Sequence, residues 1–418
     1  MSSNSGPKHA PVALDGMRRT RALLVPVAVF LVAAACTTDR SEPEPVQPVE
    51  VRDEIGDGEG ELSLLALAGY VEDGSSDPEF DWVTPFEETT GCDVQVRYMD
   101  SGAEMVTLLT REDSPYDGAS VPGDAVGELI ASREVAAVDT ALFPSWAQVL
   151  EPLREGNAGH YVVDGNVFGV PALYGPNLLV FDRDRVDPEP KSWAVVYEPD
   201  TPYAGRIALL DSPMTIADAA LYLAAHRPEL GIEDPFALSP AQLDAATALL
   251  RDLDSRVGLY WSLFTDAVDA FGEREVVVGT GWPIVLSLLE LNRRSVGAIV
   301  PAEGITGWAD TWMLAADAPH PNCMLMWMRW SLSAKVQAET ALWYGGAPSN
   351  GRACALIRRR LRDFADLVDT LRFGRCGDVE FLASLALWRK PTVDCGDDRG
   401  RSCTGLPAWR ASWRFVRG

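Results

Sequence analysis

The side chains able to do chemistry in this chain are carboxylates and aromatic rings rather than nucleophiles. The sequence has no Gly-x-Ser-x-Gly elbow, no His-Glu-x-x-His pair and no lysine-bearing phosphate loop, and its histidines are His9, His160, His226 and His320. What it offers is acid beside indole. Trp282 and Trp308 each follow a strand-like run and adjoin glycine, which lets a ring face project into a cleft. Asp310 lies two residues after Trp308, and Asp211 stands at the end of the apolar run 206–210. Open α/β sheets bind ligands beyond the carboxyl ends of their strands. Asp211 meets that condition, and so do Tyr70 and Glu72, just past the run 62–67. Asp124 opens a helical pattern, where a carboxylate either meets a ligand or simply opposes the helix dipole. An ammonium held between a carboxylate and an indole face gains a charge-assisted hydrogen bond and a cation–π contact of about 0.5–2 kcal/mol. Two facing carboxylates also serve glycoside hydrolysis, so Asp211 with Asp310 leaves a hydrolase reading open.

Positioning such groups requires a framework, and the hydropathy pattern supplies one. Short apolar runs alternate with helical patterns, the mark of α/β architecture. Strands are predicted over 62–67, 94–98, 178–181, 206–210, 276–278 and 298–300. Ser239-Pro240-Ala241-Gln242 predicts a helix start with an N-cap, a first-position proline and a capping-box glutamine. Its Leu243, Ala246, Leu249, Leu250 and Leu253 fall on one stripe. A second helix is predicted over about 321–330, where Met324, Met326, Trp327, Met328 and Trp330 are so nearly continuous that both faces must be covered. A chain of 418 residues with 47% apolar composition is too long for one core and predicts two lobes.

Ahead of these elements, Arg18, Arg19 and Arg21 precede the apolar run Ala22–Ala35, which ends in Ala-Ala-Ala-Cys. The run falls short of the roughly 20 residues that span a bilayer and reads as a secretory signal. The cysteine after small residues resembles the lipobox of bacterial lipoproteins, although Ala33 stands where leucine is commoner, and implies lipidation of Cys36 as the first residue of the mature chain. Residues 37–60 are acidic and rich in proline and glycine, predicting a solvated tether. The stretch 56–60 has no strand before it and carboxylates within it, so it reads as spacer, not as a phosphate loop. Loss of residues 1–36, with Lys8, Arg18, Arg19, Arg21 and Asp15, moves the net charge from −25 to −28. Such acidity argues against nucleic acid and anionic membrane surfaces and suits a cationic ligand. Six cysteines remain after Cys36, and in an exported chain they predict disulfides, with fifteen pairings open. Cys395–Cys403 closes the short loop and is the first choice, followed by Cys354–Cys376 and Cys92–Cys323. No Cys-x-x-Cys or ligand-spaced histidine favours zinc, and no cofactor is expected.

Several strings carry a resemblance over nearly the whole chain after the tether. These are residues 81–92, Tyr116-Asp117 with Ser120 and Gly123-Asp124, and Phe168-Gly169-Val170-Pro171 with Asn177-Leu178-Leu179. Asp211-Ser212-Pro213 follows, and the most specific are residues 276–282 and 303–312. They resemble bacterial extracellular solute-binding proteins of the spermidine/putrescine type, and residues 387–391 and 394–400 look like the actinobacterial branch of that family. The resemblance implies a type II periplasmic-binding-protein fold, two α/β lobes joined by crossing strands with a ligand cleft between them. The expected lobes are 61–172 plus 308–353 and 173–307 plus 354–418. It implies a monomeric, lipid-anchored receptor outside the cell membrane that is not an enzyme. That receptor would pass a small cationic solute, such as spermidine or putrescine, to ABC permease subunits. Asp310 and Asp211 would be ammonium partners, Trp282 and Trp308 apolar walls, Tyr70 and Glu72 the facing wall, with Asp124 and Trp388 as further contacts. Gly345, Gly346 and Pro283 stand where larger or polar residues are usual, which implies a wider pocket or compensation by Tyr344. A receptor for another small solute and a surface scaffold are the alternatives.

Overall fold

The computed structural model describes residues 51–155, 160–361, 376–387, 392–394, 402–404 and 406–417. Its principal strands are β1 (Glu61–Leu67), β2 (Asp93–Met99), β3 (Gly118–Val121), β4 (Val170–Pro176), β5 (Leu178–Asp182), β6 (Ile207–Leu210), β7 (Val257–Trp261), β8 (Val278–Gly281), β9 (Val296–Ile299) and β10 (Thr306–Leu314). The helices that matter below are α1 (Gly102–Leu109), α2 (Gly123–Ser132), α3 (Pro240–Asp254), α4 (Pro283–Leu291), α5 (Pro321–Ser331), α6 (Ala334–Tyr344), α7 (Ala353–Arg360) and α8 (Leu406–Arg417). One sheet runs in the order 347–348, β4, β10, β3, β1, β2, and the other in the order β7, β6, β8, β5, β9. Each sheet is the centre of one α/β lobe. The pairs β1–β2, β1–β3, β6–β7 and β6–β8 are parallel, whereas β10 lies antiparallel to both β3 and β4.

Strands covered by helices on both faces lose the inside–outside alternation that marks a half-exposed strand. Every residue of β4 and of β10 is buried, including Thr306, Asp310 and Thr311. That burial of polar residues in β10, and Pro171 in β4, is why the hydropathy runs marked neither strand, and only the resemblance of 168–171 with 177–179 pointed to a crossing strand there. The predicted strand 276–278 instead begins at Val278, with Val276 and Val277 buried on the approach. The capping box of α3 forms as expected: the Gln242 N–H donates to Ser239 Oγ (3.3 Å) and the Ser239 N–H to Gln242 Oε1 (2.7 Å).

The chain passes from the first lobe to the second and back through two adjacent segments, before its last helix, α8, lies on the second lobe again. Only Asn177 separates β4 from β5, and the return path is 300–305, a few residues from the expected limits. The Asn177 N–H donates to the Thr306 carbonyl (2.9 Å) and its Nδ2 to Thr306 Oγ1 (2.6 Å). Thr306 Oγ1 in turn donates to Oδ1 of the buried Asp218 (2.6 Å). Burial raises the Asp218 carboxyl to about 7 even though the Thr306 hydroxyl works against the rise. Both crossings are thus tied into one buried polar chain.

Residues 51–60, expected to be part of the tether, instead dock on the first lobe. Val51–Arg52 pairs in parallel with Ala137–Val138. The Glu59 carboxylate accepts from the N–H groups of Asn322 and Cys323, each at 2.9 Å, and so caps the start of α5. The first N–H groups of a helix have no partner within it, and a carboxylate there also meets the positive end of the dipole. Burial acts to raise the Glu59 carboxyl, yet these N–H bonds outweigh it and hold it below its usual range. At the other end, the described residues 354–361 and 376–387 pack on the first lobe rather than on the second as expected. Arg360 pairs with Glu79 (3.2 Å), and Ala386–Leu387 adds in parallel to β10. The free edge of β10 beside the crossing captures this segment, whereas α8 packs on α3 in the second lobe.

Among the described residues two disulfides form, Cys92–Cys323 and Cys354–Cys376, both among the expected pairs. The first spans 231 residues, a loop whose closure removes about 5 kcal/mol of unfolded-chain entropy. Cys36, Cys395 and Trp388 lie outside the described residues, and with Cys395 so does the expected Cys395–Cys403 pairing.

Candidate functional site

A cavity of about 340 Å³ opens between the lobes, at the carboxyl ends of strands from both sheets. The first lobe contributes Leu67 and Ala68 after β1, Met99 and Asp100 at the end of β2, and Pro122 and Asp124 after β3. The second contributes Asp211 and Ser212 after β6, Leu263 and Phe264 after β7, and Trp282 after β8. Trp308 and Asp310 complete it from β10, two residues apart and therefore on one face of the strand, with Tyr344 at the end of α6. Across Asp310 the β10–β4 register shifts: Ala309 faces Tyr174 while Thr311 faces Pro171. Irregularities of this kind re-aim side chains at binding sites. A second hollow, of about 710 Å³, lies on the flank of the second lobe around Tyr222 and His226, away from the strand ends.

The aromatic wall is continuous. Trp261 meets Trp282 edge-on at 4.9 Å, Trp282 meets Trp308 at 6.4 Å, and Trp308 meets Tyr344 at 5.9 Å. The Trp282 indole N–H donates to Asn177 Oδ1 (2.9 Å), which joins this wall to the interlobe crossing. Trp308 needs two glycines: a Cβ on Gly175 would sit 2.5 Å from its Cζ2, and one on Gly346 would sit 2.8 Å from its Cη2. The small residue at 346 therefore makes room for an indole rather than leaving a wider pocket.

Among the described residues, four carboxyl groups and no Lys, Arg or His line the cavity. Burial raises the Asp310 carboxyl to about 7; the Tyr70 hydroxyl, donating to its Oδ2 at 2.5 Å, works against the rise and the charge of Asp124 adds to it. Burial likewise raises Asp124 to about 6, partly countered by its own backbone N–H and by Arg410. Burial and the nearby Asp310 charge push the Tyr344 hydroxyl up, so it stays neutral. The N-terminal ends of α1, α2, α4 and the helix Phe264–Gly272 reach the cavity and by themselves favour an anion, each with about half a positive charge. Four carboxyl groups outweigh four such half charges once they are ionised, and a cation drawn in beside Asp310 favours that ionised form.

A family model described as bacterial extracellular solute-binding protein matches residues 81–354, well over half of the chain. The chain belongs to this family of extracellular solute-binding proteins. A putrescine/agmatine-binding protein of Pseudomonas aeruginosa is 25% identical over 309 residues, covering 68% of this chain and 80% of the relative. The spermidine/putrescine-binding periplasmic protein 1 of Haemophilus influenzae is 23% identical over 303 residues, covering 72% and 78%. The crystal structure of the spermidine/putrescine substrate-binding protein PotD of Streptococcus pneumoniae superposes with a TM-score of 0.64 at 18% identity, over 86% of this chain and 99% of that one. The shared fold is the type II periplasmic-binding-protein fold. Members of the family are transport binding proteins that deliver small solutes to ABC transporter permeases.

In this solute-binding protein Asp124, Asp211, Trp282, Trp308 and Asp310 come together around one cavity, although they come from four separate segments. Two other expected wall residues do not join them. Tyr70 is buried behind Asp310, where it orients that carboxylate and packs edge-on against Tyr344 at 4.8 Å. Glu72 lies under the first lobe, accepting from the Trp343 indole N–H (2.8 Å), while its carbonyl accepts from the N–H groups of Trp82 and Val83. The turn closed by the Tyr70 N–H on the Leu67 carbonyl folds the chain away from the cleft directly after β1. Asp100 and Phe264 were not singled out from sequence. Asp100 follows a predicted strand just as Asp211 does, so the same strand-end rule would have found it; Phe264 follows β7, a strand the hydropathy did not reveal.

Proposed function

We propose that this protein is a lipid-anchored receptor that binds a small dication, a diamine or short polyamine, between its lobes and hands it unchanged to an ABC importer. The observation that carries the reading is the acid-lined, aromatic-walled cavity whose described lining includes no Lys, Arg or His. Its carboxyl groups are divided between lobes, with Asp100, Asp124 and Asp310 on one side and Asp211 on the other, which suits a ligand charged at both ends. Trp282 and Trp308 offer flat walls for the methylenes between the charges. A volume of about 340 Å³ is at the small end of ligand pockets. Putrescine, agmatine and spermidine in the names of the two relatives support the same ligand class. Anchoring through Cys36 would keep the receptor beside its permease. Replacing Cys36 by Ser would then release the protein from the membrane fraction.

The test is a thermal-shift screen against putrescine, agmatine, spermidine, amino acids, sugars and organic anions, followed by calorimetry on hits. A ligand at a hundredfold excess over its Kd stabilises by about 2.7 kcal/mol. A shift with polyamines, lost in Asp310→Ala, supports the reading; a shift only with anions or sugars overturns it. The solute must also be recovered unaltered, since a changed product means catalysis.

A further inference from the structure

The C-terminal helix α8 lies beyond residues 81–354, the part of the chain that matches the family model. It carries Arg410, Arg414 and Arg417 and no acid, in a chain of net charge −25. Trp409, Trp413 and Val416, spaced four and three residues apart, are buried on one face, and that face packs on α3. The remaining contacts reach the cleft. The Trp413 indole N–H donates to Asp211 Oδ1 at 2.9 Å, and Arg417 Nε lies 3.5 Å from the same oxygen. Arg417 is itself held over the Tyr260 ring (3.6 Å) and near Asp254 (3.8 Å). From the same helix Arg410 crosses to the first lobe, with Nη2 3.6 Å from Glu128 Oε2 on α2, one turn from Asp124.

We propose that α8 is part of the binding site: Trp413 and Arg417 position Asp211 for one end of the ligand, and the Arg410–Glu128 pair ties that arrangement to the opposite lobe when the cleft is closed. The proposal rests on the cationic-solute reading above. Both contacts to Asp211 fall on Oδ1, which leaves Oδ2 to an incoming ammonium group. Trp413 and Arg417 are positioning residues, acting on the ligand through Asp211. Because Arg410 and Glu128 sit on different lobes, opening the cleft separates them, so their attraction favours the ligand-holding form.

The test uses the full mature chain with putrescine as probe. Trp413→Phe keeps the ring packing and removes only the N–H; it should weaken putrescine by about tenfold, the worth of a hydrogen bond to a charged group. Trp409→Phe, on the same buried face with no hydrogen-bond partner for its indole N–H, should leave affinity unchanged. Arg410→Gln and Glu128→Gln should each weaken putrescine by about threefold, chiefly through faster dissociation, and the double variant no further. Wild-type affinity in Trp413→Phe and Arg410→Gln, while Asp211→Asn is impaired, overturns the role of α8 and leaves the solute reading intact. If the wild type does not bind putrescine, the solute reading fails and hydrogen exchange on the free protein decides the remaining claim. Arg410→Gln must then speed exchange in residues 123–132 of the opposite lobe, and unchanged exchange there overturns the tie between lobes.

Discussion

Acidification should release a cationic solute from this protein, and the size of the effect follows from two carboxyl groups. Asp310 and Asp124 have their carboxyls raised to about 7 and about 6. A dication binds their ionised forms and competes with protons. Between pH 7.5 and 5.5 the ionised fraction of Asp310 falls from about three-quarters to about 3%, a loss of about 25-fold, and Asp124 adds about fourfold. Putrescine amines, with lysine-like values, stay protonated throughout, and among the described residues no histidine lines the cavity to complicate the profile. Affinity should therefore drop by about a hundredfold over these two pH units, and binding near pH 7 should expel about half a proton from Asp310. Calorimetry at several pH values, in two buffers of different ionisation heat, reads both quantities. In Asp310→Asn the overall affinity should fall and the pH dependence should shrink to the fourfold part due to Asp124. Equal pH slopes in the wild type and this variant, or tighter binding on acidification, would refute the reasoning.

The same carboxyl has a cost in the empty protein. Its folded-state value lies above the unfolded one, so the native state holds the proton more tightly and stability rises as pH falls from about 7 towards 4. Asp310→Asn should thus stabilise the ligand-free protein by about 4 kcal/mol at pH 7, seen as a higher Tm that climbs less on acidification, the remaining climb coming from Asp218 and Asp124. Gly346→Val should displace the Trp308 indole and weaken putrescine by at least about tenfold, since its Cβ would sit 2.8 Å from Cη2; unchanged quenching of tryptophan fluorescence by ligand would count against this. Glu59→Gln should cost about 1 kcal/mol in denaturant unfolding, the worth of a charged helix cap, and an unchanged midpoint would show that 51–60 merely rests on the surface.

Much of the site was legible because strand ends are visible where apolar runs stop. Asp211 was found that way, and Trp282 and Trp308 through adjacent strand-like runs and glycines. Where a polar or proline-containing segment is buried on both faces the rule has nothing to act on, and hydropathy predicted neither β4 nor β10 as a strand although they carry the crossing and the key aspartate. Glu72 failed for a different reason. Its distance from the strand end was right, but one backbone turn decides whether the next residues face the cleft or the lobe.

By itself the sequence determined the composition of the site, its acidity and its indoles, because residue types and strand-forming runs are local properties. It also determined the architecture class through its alternating periodicities. Only the tertiary structure decided which acids share a cavity, that Tyr70 serves Asp310 from behind, that Gly346 exists for Trp308, and that α8 reaches Asp211. Those facts depend on contacts such as Tyr70 with Asp310 or Trp413 with Asp211, between residues more than 200 positions apart. Such contacts are fixed by how two sheets pack and cross, and no local pattern encodes them.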